Sequence, residues 1–221
     1  MAARDLQRAG GLQRAVVAVA TTTGTGWINE AEADALEYIY NGNTAIVSMQ
    51  YSYLPSWLSF LVDKENARHA GQALFEAVDK LIRQMPEFKR PKLVVFGESL
   101  GSFGGEAPFM TLDNVLARTD GALFSGPTFN NTIWNDLTST RDPGSPEWLP
   151  IYHHGANVRF VARPSDLQRP DEPWGGRGWS ISSTPRIRSR GGRPTCCSRN
   201  PTGCANRAVT TCCRRLAGSR W

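Results

Sequence analysis

Short apolar runs that alternate with helical patterns constrain this chain more than any other feature. Residues 15–20 (AVVAVA) run into Thr21-Thr22-Thr23-Gly24-Thr25-Gly26, as a buried strand ending in a loop does. Residues 44–49 (TAIVSM) and 93–96 (LVVF) repeat the pattern, and residues 122–124 (ALF) run into Ser125-Gly126-Pro127. After the first run, Asn29 and Glu32 have the spacing of a capping box, and Ala33, Ala35, Leu36, Ile39 and Tyr40 supply a helical face. From Asp63 to Met85, apolar residues recur at Ala67, Ala70, Leu74, Ala77, Val78, Leu81 and Ile82, which predicts a second helix stopped by Pro86. A further helix is expected before Arg118, with its start blurred by Pro108 and three glycines. Strand alternating with helix dictates parallel strands joined by right-handed crossovers. The fold class is therefore α/β, a doubly wound and mostly parallel sheet whose ligands bind beyond the carboxyl ends of its strands.

The pattern lasts for about three-quarters of the chain. Residues 158–162 (VRFVA) suggest one more short strand, and beyond Pro173 the alternation stops. Charge divides at the same place. Residues 1–172 carry 15 Lys/Arg against 20 Asp/Glu, whereas residues 173–221 carry 10 Arg, no Lys and no acid. All five cysteines (Cys196, Cys197, Cys204, Cys212, Cys213) lie in that last stretch, which has one Leu and no Phe, Tyr or Met. So little apolar surface cannot offset the entropy of ordering the segment. The expected organisation is a folded domain over 12–174 and an Arg/Cys-rich tail over 175–221, disordered or out of frame. A shifted reading of a GC-rich gene produces this composition, and the displacement is expected near residues 175–179. Lost strands would leave the 122–124 side of the sheet short of neighbours, with an edge prone to aggregation. A zinc or nucleic-acid module in the tail is disfavoured, because the Cys-Cys pairs lack C-x-x-C spacing, no His accompanies them and no aromatic platform exists. No specific nucleic-acid partner follows, only the salt-sensitive attraction of an arginine-rich segment to polyanions. Nor does any run approach the ~18 apolar residues of a membrane span, and the start does not read as a signal peptide, so the chain as written reads as soluble.

Gly97-Glu98-Ser99-Leu100-Gly101 matches G-x-S-x-G and sits between an apolar strand and a predicted helix. That context is what a nucleophile elbow needs: the glycines permit a cramped turn that lifts the Ser99 hydroxyl above the sheet edge. The bland alternative is a serine capping a helix after a glycine-rich turn. An acyl-transfer serine also needs amide donors for the oxyanion. Leu100 supplies one, and Gly24 and Thr25, in the loop after the first strand, stand in the topological place for another unless that loop is an ordinary Gly/Thr connection. Tyr51, Tyr53, Trp57 and Phe60 follow the second strand. They either wall an apolar pocket for an acyl or aromatic substrate or pack under the neighbouring helix.

Three segments, VATTTGTGW (residues 19–27), QYSYLPSWLSFLVD (50–63) and VFGESLGSFGGE (95–106), resemble in order the C-terminal catalytic domain of a bacterial α/β-hydrolase family whose N-terminal half is a membrane domain. The resemblance covers residues 12–174. It implies a serine-type hydrolase acting on an unidentified small acyl or ester substrate, with no cofactor and no metal. Two departures stand out. The membrane half is absent from this chain, so the membrane association of relatives does not transfer. In the α/β-hydrolase order the acid and then the histidine follow the serine, yet no Asp, Glu or His occurs after Glu172. The remaining histidines are His69, His153 and His154. His153 or His154 as base with Asp166 as acid would form a foreign order, although geometry and not order defines a triad. The plainer expectation is two loop histidines, a solvated His69, and an Asp166 that forms a local turn. The sequence thus points to a serine hydrolase with its nucleophile half present and its triad incomplete, the alternative being a non-catalytic α/β fold that acts as a binding module.

Overall fold

The computed structural model describes residues 1–170, residue 173 and the backbone of residues 178–182. The elements follow in the order α1 (Ala2–Arg8), β1 (Val16–Thr21), α2 (Glu30–Ile39), β2 (Thr44–Met49), α3 (Ser56–Val62), α4 (Lys64–Arg83), β3 (Lys92–Glu98), α5 (Leu100–Glu106), α6 (Leu112–Arg118), β4 (Gly121–Ser125), α7 (Thr132–Ser139), β5 (Val158–Val161) and β6 (Gly178–Ser182). The six strands form one sheet in the order β2-β1-β3-β4-β6-β5, with every neighbouring pair parallel. This is the doubly wound sheet that the alternation implies.

Strand pleating sorts the core. Val17, Val19, Val47, Leu93, Val95, Ala122 and Phe124 face one side, where they pack with Leu74, Phe75, Val78 and Ile82 of α4, Val115 of α6, and Ile133 and Leu137 of α7. Ala18, Ala20 and Phe96 face the other side, toward Ile28, just before α2, and Leu36 of α2. Because β1 lies inside the sheet with both faces covered, its run reads as uninterrupted Val and Ala, and residues 16–20 are all fully buried. On the thicker side Phe75 meets Phe109 edge-to-face, with centroids 4.6 Å apart. Helices α4 and α5 come so close that a Cβ on Gly71 would lie 2.1 Å from the Gly104 carbonyl oxygen.

Several expectations change. The segment from Gly101 to Arg118 holds two helices, α5 and α6, with a break at residues 107–111 around Pro108. Helices α1, α3 and α7 carry no clear sequence signal; α3 and α7 are only seven and eight residues long, too short for a repeating stripe, although Ile133 and Leu137 of α7 are buried one turn apart. The larger correction concerns the far side of the sheet. Residues 178–182, inside the stretch expected to lack pattern, form β6 between β4 and β5, so β4 is an interior strand with partners on both sides. Five residues of extended backbone pair there with β4 and β5, and ladder partners this far apart in the chain leave no mark in a local hydropathy pattern. The rest of the expected tail, with its cysteines, lies outside the described residues. Among the described residues no helix is long and apolar enough to cross a membrane.

Candidate active site

Strand β3 ends at Glu98, and α5 begins at Leu100. Ser99 makes the whole reversal alone, at φ 53° and ψ −116°, a backbone conformation that costs an L residue on the order of 1–3 kcal/mol. The surroundings hold it there. The Ser99 amide donates to the Ser125 carbonyl at 2.9 Å, and the Ser99 carbonyl accepts from the Ser102 amide at 3.0 Å and from Ser102 Oγ at 2.7 Å. The flanking glycines are sterically required. A Cβ on Gly97 would lie 2.4 Å from Thr21 Oγ1, and one on Gly101 would lie 2.3 Å from the Thr21 carbonyl oxygen. Thr21 Oγ1 itself donates to the Gly101 carbonyl at 2.6 Å, which clamps the elbow to the end of β1. The Ser99 side chain stands exposed at the carboxyl edge of the sheet.

The loop after β1 lies beside it. Thr23 and Gly26 spend their amides on Trp27 and Thr23 carbonyls, while the amides of Gly24 and Thr25 have no hydrogen-bond acceptor among the described residues. Gly24 is buried against α3, and a Cβ there would sit 2.5 Å from the Leu54 carbonyl oxygen. The Leu100 amide opens α5 and so has no acceptor within the helix. Gly24, Thr25 and Leu100 thus all follow the carboxyl ends of two neighbouring parallel strands, β1 and β3.

Polar contacts that sequence reasoning missed brace this edge from both faces. Asn29 caps α2 with its Oδ1 on the Ala31 and Glu32 amides and uses Nδ2 to donate to Glu98 Oε2 at 2.6 Å. Glu32 does not close the anticipated capping box. Its carboxyl accepts from Ser125 Oγ at 2.5 Å instead, and burial holds its pKa above the usual range. On the other face Asn131 Nδ2 donates to Ser102 Oγ at 3.2 Å, and Glu106 Oε2 accepts from the Ile133 amide at 3.0 Å. Glu106 is only 4% exposed, and burial pushes its pKa up to about 7. Asn29 and Glu32 carry the spacing of a capping box, but their bonds to Glu98 and Ser125, like those of Asn131 and Glu106, join residues far apart in the chain, and nothing in the sequence marks those partners.

The arrangement of parallel sheet, strained serine turn and amides at one edge agrees with a family comparison: the profile of the alpha/beta-hydrolase family matches residues 1–181. The chain belongs to the alpha/beta-hydrolase family. Among solved structures, an iodinated complex of acetyl xylan esterase is similar at 12% identity and a TM-score of 0.45, over 77% of this chain and 82% of that one. An acylaminoacyl peptidase from Pyrococcus horikoshii is similar at 12% identity and a TM-score of 0.35, over 60% of this chain and 21% of that one. No curated protein matches.

The other candidate residues of this alpha/beta-hydrolase chain are not gathered around Ser99. His153 and His154 precede β5 and so lie toward the amino edge of the sheet, opposite to Ser99. Both are exposed, and the Asp142 carboxylate holds their amides at 2.9 and 2.8 Å. His69 is exposed on α4. Asp166 follows β5 at the same edge as Ser99 but three strand spacings from β3, about 14 Å across the sheet. Its Oδ2 accepts from the Ala162 and Arg163 amides at 3.0 and 2.7 Å, the local turn expected of it. The aromatic segment after β2 divides: Tyr51 and Phe60 pack with Leu100 and Phe103, whereas Tyr53 and Trp57 face solvent.

Proposed function

We propose that this chain carries the nucleophile half of a serine-type ester or amide hydrolase, with Ser99 as nucleophile and the amides of Leu100, Gly24 and Thr25 as oxyanion donors. The observation that carries the reading is the backbone of Ser99: a strained, exposed serine between a parallel strand and a helix, enforced by two glycines that admit no side chain. In the reaction the Ser99 hydroxyl oxygen would add to the acyl carbonyl and its proton would pass to a base. The alcohol or amine would then leave with a proton, and water would release the acid. The base and the acid that orients it are the parts this reading lacks. The residues after Glu172 contain neither acid nor histidine, and His153, His154 and Asp166 stand elsewhere on the sheet.

On this reading the chain as written is an inactive hydrolase, and a reading frame displaced beyond β6, later than the expected residues 175–179, accounts for the missing pair, since the family match runs to residue 181. Amide donors and binding alone leave roughly 10³ to 10⁴-fold acceleration over water, which is hard to detect as turnover. The test is hydrolysis of a short-chain nitrophenyl ester by the purified chain and by Ser99→Ala. Equal background rates are expected, and robust turnover abolished by the substitution would show that a base is in reach. Resequencing the gene tests the frame: absence of a downstream frame encoding an Asp and a His overturns that part.

A further inference from the structure

Apolar side chains crowd the sheet edge that carries Ser99. Tyr53, Trp57, Leu61 and Val62, between β2 and α4, and Phe129, between β4 and α7, are each at least two-thirds exposed. Single apolar residues on a surface are ordinary, but a group of this size drawn from two neighbouring connections is not. The two connections form one surface, because the Phe60 and Phe129 rings meet edge-to-face at 5.4 Å. That surface adjoins the elbow: Phe60 and Tyr51 pack against Leu100, the residue after Ser99, and against Phe103. Trp57 and Leu61 lie one helical turn apart and share the outer side of α3. No charged residue occurs from Tyr53 to Val62. Asp63, which follows, is turned inward, where it accepts from Ser59 Oγ at 2.5 Å and Ser52 Oγ at 2.9 Å.

We infer that this surface receives the alkyl chain of a medium- to long-chain acyl ester whose carbonyl is presented to Ser99. The inference rests on the proposed nucleophile for the position of the reacting carbonyl. A stable protein partner would need about 20–30 residues on each side, far more than this stripe offers. A flexible alkyl chain needs only a line of apolar contacts, which the Trp57–Leu61 row and Phe129 provide. Short esters would leave the row unused, so the site selects for chain length.

The test is calorimetric binding of dodecanoate, below its micelle concentration, to the full chain, with hexanoate and butyrate for comparison. Affinity is expected to rise about two- to fourfold per methylene. Trp57→Ala and Leu61→Ala are each expected to weaken dodecanoate about tenfold with an unchanged circular dichroism spectrum. Phe88→Ala, also at an exposed aromatic but on the turn before β3, serves as the control and is expected to bind like the parent. Binding that is absent, independent of chain length, or indifferent to Trp57 and Leu61 overturns the inference. So does binding to phosphatidylcholine vesicles without binding to monomeric dodecanoate, which would assign the patch to a lipid surface. Alkylation of Ser99→Cys separates the two readings, because a thiol reacts without a neighbouring base. Chain-length-dependent binding in which N-dodecyl iodoacetamide labels Ser99→Cys no faster than iodoacetamide overturns the placing of the carbonyl at Ser99 and keeps the alkyl site, and ester turnover abolished by Ser99→Ala without such binding keeps the nucleophile and overturns the alkyl site.

Discussion

Replacing Glu106 by Gln should change how stability depends on pH, in a direction and by an amount that follow from its surroundings. Glu106 ends α5 with Oε2 on the Ile133 amide, while Oε1 has no partner beside a cavity of about 70 Å³. Burial raises the carboxyl from 4.5 to about 7, against the opposing pull of Asn131 and the Ile133 and Trp134 amides. Between these values the folded chain keeps a proton that the unfolded chain releases, so the unfolded state binds fewer protons and stability falls as pH rises. The contribution is fully present below about pH 4.5 and lost as pH passes through 7. Its size is roughly 3 kcal/mol, from 1.36 kcal/mol per pH unit. Gln keeps the shape and an acceptor for Ile133 and does not titrate. Urea unfolding of both proteins from pH 4.5 to 8.5 should show the parent losing about 3 kcal/mol relative to Glu106→Gln across that range. Comparing the two cancels Glu32, whose raised pKa acts with the same sign in both. Parallel pH profiles would refute the reasoning. They would mean that water entering the cavity solvates the carboxylate and returns its ionisation to the ordinary range.

Other outcomes follow from the same geometry. Ser99→Gly should raise stability by about 1 kcal/mol, since glycine tolerates φ 53° and the relieved strain exceeds its added backbone entropy; the midpoint of urea unfolding reads this. Gly101→Ala should cost at least about 2 kcal/mol in the same assay, because its Cβ would overlap the Thr21 carbonyl, a backbone atom that cannot move aside without shifting β1. Arg118→Ala removes contacts of 2.8 Å to both Glu76 and Asp79 and the guanidinium over the Phe75 ring. A loss of about 1–2 kcal/mol is expected, smaller than for an orphaned buried charge because Arg83 still holds Asp79, and reduced at 1 M salt.

Much of the fold and the centre of the site could be read from the residues in order, for a physical reason. Strands β1 to β4 and the long helix α4 bury a face or both faces, and burial imposes a hydropathy period that is written along the chain. The elbow is legible because a turn this tight accepts only glycine at residues 97 and 101, so its geometry is recorded in residue type. Asp166 is legible as a local turn because its partners lie within four residues. What tertiary structure alone decided depends on neighbours far apart in sequence. Strand β6 is placed by its ladders with β4 and β5, strands 53 and 17 residues earlier at their nearest ends. The split of the aromatic segment, Tyr51 and Phe60 inward and Tyr53 and Trp57 outward, follows from where Leu100 and Phe103 arrive on α5. The braces around Ser99 join Glu32 to Ser125 across 93 positions and Asn29 to Glu98 across 69. A single carboxylate or amide of that kind has no period and no fixed spacing from its partner, and only packing selects which polar groups meet.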